Sequence, residues 1–317
     1  VARGSSSSWS FTATDASPVD QAAGFDYTIT WGDGATDGPL HSGSPLSRSH
    51  TYSAVGVYTV TMTATDKDGG TSTAVTKTVT VRGAGLVPSV CGSGSDLVVG
   101  GTSGADTIKV KPGSSTTSLV VTLNNVTLGT FSPTGRLIVY GQAGNDNITV
   151  DSKLTLPRIL YGGAGNDTIT GGNGSGIQLG GDGADWLGGG NGRDILIGGA
   201  GGDTLKGNNG DDLLVAGTTS YDAPGTANLQ SLCKIQAEWV SGSSYSTRIA
   251  HLTGTVSGGL NGTNLLKASG TGRTVFDDGV KDTLTGALGQ DWFLLNKTGG
   301  VLDVSDVTSS EVATDLS

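Results

Sequence analysis

Between Gly162 and Val215, aspartates fall at Asp167, Asp185, Asp194, Asp203 and Asp212, in steps of 18, 9, 9 and 9 residues. The longer step spans two units, with Gly176 at the skipped acidic position. Each aspartate closes a glycine-rich turn, as in Gly162-Gly-Ala-Gly-Asn-Asp167 and Gly189-Gly-Asn-Gly-Arg-Asp194. Short carboxylates aimed from turns, beside carbonyls that glycine lets crowd together, suit an oxygen cage for a hard cation. The stretch holds no histidine or cysteine, which argues against zinc. Magnesium keeps its waters and wants a small octahedron, so calcium fits a stack of turns better.

The elements that must position these carboxylates follow from the period. Two residues after each aspartate comes an apolar side chain: Ile169, Leu187, Leu196, Leu205 and Leu214. Six residues of turn and about three of strand make one unit, and two units make one coil of a flattened spiral. Like strands then stack in parallel about 4.8 Å apart, with one apolar residue per strand pointing inward. Aspartates 18 residues apart, such as Asp185 and Asp203, come to lie in neighbouring coils, where unneutralised carboxylates repel. A calcium ion taking six to eight oxygens at about 2.3–2.6 Å reverses that sign. Asp167, Asp185, Asp194, Asp203 and Asp212 are the expected carboxylate ligands. Asp182, Asn208 and Asp211 lie at other positions of the same turns. The unit with Gly176 and Gln178 departs from the pattern, so its site should be weaker or filled by water. A flexible linker has no reason to keep an apolar residue two positions after each aspartate.

This repeat resembles the RTX, or haemolysin-type, calcium-binding nonapeptide family, which implies a calcium-filled parallel β-roll with several ions. Weaker copies of the turn lie upstream, at Gly92-Ser-Gly-Ser-Asp96, Gly101-Thr-Ser-Gly-Ala-Asp106 and Gly141-Gln-Ala-Gly-Asn-Asp146, so Asp96, Asp106 and Asp146 are further candidates. Longer strands, over Ser118–Leu123 and Leu137–Tyr140, predict a thicker core and an inserted hairpin there. The rhythm returns at Asp282 and Asp291, nine residues apart and followed by Leu284 and Phe293. A partial roll with one more calcium site is expected around them.

Residues 1–85 read as a small Ig-like β-sandwich. Tyr58, Val60, Met62 and Ala64 alternate with four threonines, which is the period of a strand with one buried side. Asp26–Trp31 and Thr73–Val81 are further strands. Trp31-Gly-Asp-Gly34, His50-Thr-Tyr52 and Gly56 with Tyr58 and Val60 resemble the PKD family of extracellular sandwich modules. That resemblance implies a spacer or adhesive role, and Trp31 and His50 themselves read as core packing and turn bracing.

Residues 91–217 form the expected roll, and 218–317 a mainly β capping region with one helix. Leu229, Leu232, Ile235 and Trp239 share a face at helical spacing. Arg248–Gly254 and Gly262–Lys267 read as short strands or turns. The insert between the two repeat regions is expected to cover the end of the main spiral, because an open coil exposes its apolar stripe. Glu238-Trp239, Ser241–Tyr245, Arg248, Gly259–Gly262 and the stretch from Asp277 to Phe293 are similar to C-terminal regions of surface or exported proteins of planctomycete-type bacteria.

Composition sets the bounds. The formal charge is -10, and Glu238 and Glu311 are the only glutamates, so the acid belongs to turns rather than to general surface. No basic tract is present, which argues against nucleic acid, and the charge disfavours an anionic membrane. No apolar run is long enough to span a bilayer. Val1 reads as the start of a mature form or a cut fragment, so a missing leader does not argue for the cytoplasm. Cys91 and Cys233 are either a disulfide or two free thiols. His41, His50 and His251 form no metal pair, no G-x-S-x-G elbow occurs, and no glycine run launches a long helix after a strand.

The balance leans away from an enzyme. The all-β reading is an extracellular, secreted or cell-surface calcium-binding structural or adhesive module. Its partners would be cell-surface polysaccharide or other surface proteins. The alternative is a carbohydrate-active or carbohydrate-binding protein, or an accessory region of a larger exported enzyme.

Overall fold

The computed structural model describes residues 1–4 and 6–317, which divide into two compact units, Val1–Gly83 and Ala84–Ser317.

In the first unit, Thr36–Ser42, Phe25–Thr30, Gly56–Thr65 and Val75–Val81 form an antiparallel four-stranded sheet. Ser6–Phe11 pairs with Leu46–Thr51 in a second, two-stranded sheet. The alternation read from Tyr58 to Thr65 sets the buried side: Val60, Met62 and Ala64 join Tyr27, Ile29 and Trp31 in one core. Trp31 stacks on His50 with ring centroids 4.5 Å apart. His50 Nε2 lies 2.7 Å from Asp33 Oδ2, and the Tyr52 hydroxyl donates to the Trp31 carbonyl. Trp31 therefore packs the core, and His50, stacked on it, braces the Gly32–Gly34 turn through Asp33.

The second unit is a roll of two parallel sheets. One contains Ser95–Gly100, Leu137–Ala143, Arg158–Ala164, Gly176–Asp182, Ile195–Ala200, Leu213–Val215, Trp292–Leu295 and Val312–Asp315, hydrogen-bonded in that order. The other contains Thr107–Pro112, Asn147–Val150, Thr168–Thr170, Trp186–Asn191, Thr204–Asn209, Thr283–Leu288 and Val304–Ser305. The chain alternates between them, half a coil at a time. Ile108, Ile148, Ile169, Leu187, Leu205 and Leu284 stack in register down one side of the core. Val99, Val139, Leu160, Leu196, Leu214 and Phe293 face them, with Gln178 buried among them. Several early strands send two apolar residues each into this core, such as Leu97 with Val99 and Ile108 with Val110. The hairpin of Leu119–Leu123 and Val126–Phe131 extends the edge of one sheet, and Ala84–Pro88 covers the first strand of the other.

Two expectations need correction. The spiral does not end near residue 217. Leu205 pairs with Leu284 and Leu214 with Phe293, so the coil carrying Asp282 and Asp291 stacks directly on the one before it. The intervening insert bulges from the side of the roll instead of closing its end. The segment from Arg248 is helical, not strand or turn: Tyr245–Thr253 is a second helix beside Thr226–Trp239. The Ser244 side chain caps it by accepting the Thr247 N–H, and Gly254 ends it with φ 79°. Arg248 and Leu252, four residues apart, form its buried side.

The insert is tied to one edge of the roll. Gln236 accepts from Arg136 Nη1 and donates to the Ser175 carbonyl, while Arg193 Nη1 donates to the Ser241 carbonyl. The Tyr245 hydroxyl reaches the Asp291 carbonyl, and Arg248 pairs with Asp211. A disulfide joins Cys91 to Cys233, with Cα atoms 5.9 Å apart, and so fixes the helix to the start of the roll. Buried Glu238 holds the two helical segments together, lying 2.7 Å from His251 Nδ1 and accepting the Leu260 N–H.

Candidate metal centre

Along one edge of the roll the turn aspartates form an unbroken ladder. The main-chain N–H of Asp106 donates to Asp146 Oδ1, that of Asp146 to Asp167, Asp167 to Asp185, Asp185 to Asp203, Asp203 to Asp282, and Asp282 to Asp303. On the other edge a shorter ladder runs from the Gly176 N–H to Asp194 Oδ1, then from Asp194 to Asp212 and Asp212 to Asp291. The step from Asp203 to Asp282 crosses 79 residues of sequence without interrupting the series.

Each ladder bond uses Oδ1. The Oδ2 atoms of Asp146, Asp167, Asp185, Asp203 and Asp282, and of Asp194, Asp212 and Asp291, are buried without a hydrogen-bond partner. Eight of the ten aspartates proposed from the sequence thus share one unsatisfied group. A buried carboxylate oxygen in that state carries a large desolvation penalty.

The other two differ. Asp106 has both oxygens occupied, by Asn124 Nδ2 at 2.6 Å and by the Thr102 hydroxyl at 2.9 Å. Asp96 lies outside both ladders, and its oxygens accept the N–H groups of Arg136 and Val90. Asp303, which the sequence reading did not name, ends the long ladder with both oxygens occupied, by the N–H groups of Asp282 and Asn296. The long ladder is therefore satisfied at its two ends and unsatisfied between them.

Burial, reinforced in most cases by the neighbouring carboxylates, raises these acids far above the ordinary aspartate range. Asp167 is pushed up to about 6 and Asp146, Asp185 and Asp203 to about 7. Asp282 rises to about 8, and on the second edge Asp194 and Asp291 reach about 7 and Asp212 about 9. The acid series can be neutralised in two ways: by protons, or by cations placed against Oδ2.

The glycines make room for the second. A methyl group on Gly162, Gly180 or Gly198 would collide with the Oδ2 of Asp167, Asp185 or Asp203, and also with the carbonyl of Gly180, Gly198 or Ala216 on the next coil. Gly189 stands in the same relation to Asp194 and the Gly207 carbonyl. In these four units a carboxylate oxygen and a carbonyl oxygen crowd one glycine. Among the described residues, no three His, Cys, Asp or Glu side chains gather around one point. A cation here would draw on one or two carboxylates and fill its shell from main-chain carbonyls. Calcium tolerates that all-oxygen, irregular donor set, whereas zinc does not use it.

Comparison with known proteins assigns the class. Residues 3–81 match the PKD domain family, and residues 159–177 and 179–214 match the RTX calcium-binding nonapeptide repeat, in four copies. The chain therefore carries a PKD domain followed by RTX repeats, the two resemblances read from its motifs. A solved structure, the PKD domain of an M14-like peptidase from Thermoplasmatales archaeon SCGC AB-540-F20, is 33% identical. It covers 26% of this chain and 82% of its own, with a TM-score of 0.23. No curated protein matches. RTX repeats bind calcium, and both modules are typical of secreted or surface proteins. Among the described residues, no helix is long and apolar enough to cross a membrane.

Proposed function

We propose that this chain is an exported structural or adhesive module whose roll is locked by calcium ions held between stacked turns. The buried, partnerless Oδ2 atoms of the aspartate ladders carry this reading. A series of buried acids one coil apart is unfavourable at neutral pH unless cations neutralise it, and these turns offer only hard oxygen ligands. The ligands are Asp146, Asp167, Asp185, Asp203 and Asp282 on one edge and Asp194, Asp212 and Asp291 on the other, with carbonyls of the intervening turns. Asp96 and Asp106, named from the sequence, are weaker candidates, because each of their oxygens already accepts a hydrogen bond.

Calcium binding is then coupled to folding, because the ligands come together only when the coils stack. Where calcium is scarce the roll stays loose, and outside the cell it locks. The PKD domain supports a spacer or adhesive role at a surface, toward polysaccharide or other surface proteins. Equilibrium dialysis and circular dichroism of the full chain test the proposal together. Several bound ions, with a gain of ordered β signal and a higher melting temperature, are expected. A chain that binds no calcium and melts identically in chelator and in millimolar calcium would reject it.

A further inference from the structure

We infer that one inter-turn position on the second edge is filled by the guanidinium of Arg158, which serves there as a resident cation in place of a metal ion. The inference rests on the calcium reading above and sets its boundary.

Strand register places Leu97, Leu137, Arg158 and Gly176 in line, and continues through Asp194, Asp212 and Asp291. Arg158 thus occupies the column that becomes the second carboxylate ladder. Its side chain is fully buried and lies across Gly176, where any Cβ would strike its Cγ, Nε and Cζ. Nη2 donates to the Gly172 carbonyl at 2.8 Å and the Gly189 carbonyl at 3.3 Å, and lies 3.4 Å from Asp194 Oδ1. The remaining nitrogens, Nε and Nη1, have no acceptor, so Nη2 anchors the group.

Comparison among the glycine cradles makes the substitution explicit. At Gly162, Gly180, Gly189, Gly198, Gly207 and Gly286, the atom crowding the glycine is the Oδ2 of the aspartate five residues on. At Gly171 the residue five on is Gly176, and the crowding atoms are Arg158 Nη2, Gln178 Nε2 and the Gly189 carbonyl. Gln178 Nε2 also donates to the Gly188 carbonyl at 2.7 Å. Two donors, one of them cationic, stand where the other units present a carboxylate. Both departures from the repeat, Gly176 and Gln178, follow from that exchange. A second positive charge against Arg158 would be repelled, so this turn takes no calcium.

The test counts bound calcium by equilibrium dialysis for the full chain, for Gly176→Asp, and for Gly176→Asp combined with Arg158→Leu, the residue present at positions 97 and 137. Only the double variant should gain about one ion per chain. A gain in the single variant, or none in a folded double variant, would overturn the inference. Melting temperatures in chelator supply a second readout: Arg158→Leu should lower the value in the natural background and do so much less beside Asp194→Asn. Equal effects in the two backgrounds would count against the guanidinium pairing. A natural chain that binds no calcium would defeat the calcium reading alone, and the chelator comparison would still decide the role of Arg158.

Discussion

The main-chain N–H of Asp185 donates to Asp203 Oδ1, 2.8 Å away and 18 residues further along the chain. That bond aligns two turns and, by using one oxygen of the Asp203 carboxylate, leaves the other buried with nothing to bind. The same relation repeats along both edges, so what holds the coils in register also accumulates negative charge.

The charge predicts a pH dependence that calcium inverts. Asp167, Asp185 and Asp203 are raised to about 6–7, so the metal-free fold holds protons that the unfolded chain, with its ordinary acids, releases. Stability from these groups is present below about pH 4 and declines as pH rises through about 7. In chelator the second unit should melt at least about 3 °C higher at pH 5 than at pH 8. With millimolar calcium that trend should flatten or reverse, because the ion competes with protons for the same oxygens. Scanning calorimetry across the pH range checks both signs.

Asp203→Asn keeps the Oδ1 acceptor and removes the charge. Without calcium at pH 8 it should raise the melting temperature, since a buried carboxylate is gone. With calcium it should weaken binding by about tenfold or more, because a charged ligand is lost. A variant that loses stability under both conditions would show that the carboxylate acts by packing alone.

Gly180→Ala places a methyl group against Asp185 Oδ2 and the Gly198 carbonyl. Calcium affinity and stability should both fall, the latter by about 1–3 kcal/mol, as for overpacked sites in general. Gly242→Ala, with open space around it, should change neither. Denaturant melts of the two variants give the contrast.

Reducing the Cys91–Cys233 bond, which spans 142 residues, should cost about 2–5 kcal/mol while the calcium count stays the same. The bond fixes the helical insert and touches neither ladder. Dialysis in the presence of reductant checks the count.

Much of this is written locally. The nine-residue step carries the turn, the strand and the inward residue in one unit, which is why Asp167 to Asp212 could be read directly. What escaped depends on contacts distant in sequence. Asp303 follows Asp282 by 21 residues, the same step as Asp146 to Asp167, but Ser305 stands where an apolar residue would have marked it. Arg158 follows a proline and resembles a loop residue until strand register sets it in the column of Asp194. The insert hid the continuity of the roll because nothing in its composition says that Leu214 will meet Phe293. Asp96 fits the turn motif, yet it sits one residue off the ladder column, since Leu97, not Asp96, aligns with Leu137.

Crystals grown in calcium and measured for anomalous scattering test the account most directly. Ions should lie at about 2.3–2.6 Å from the Oδ2 atoms of Asp185, Asp203 and Asp212, with none beside Arg158. A fully ordered roll whose Oδ2 atoms meet only protein or water at calcium saturation would contradict it.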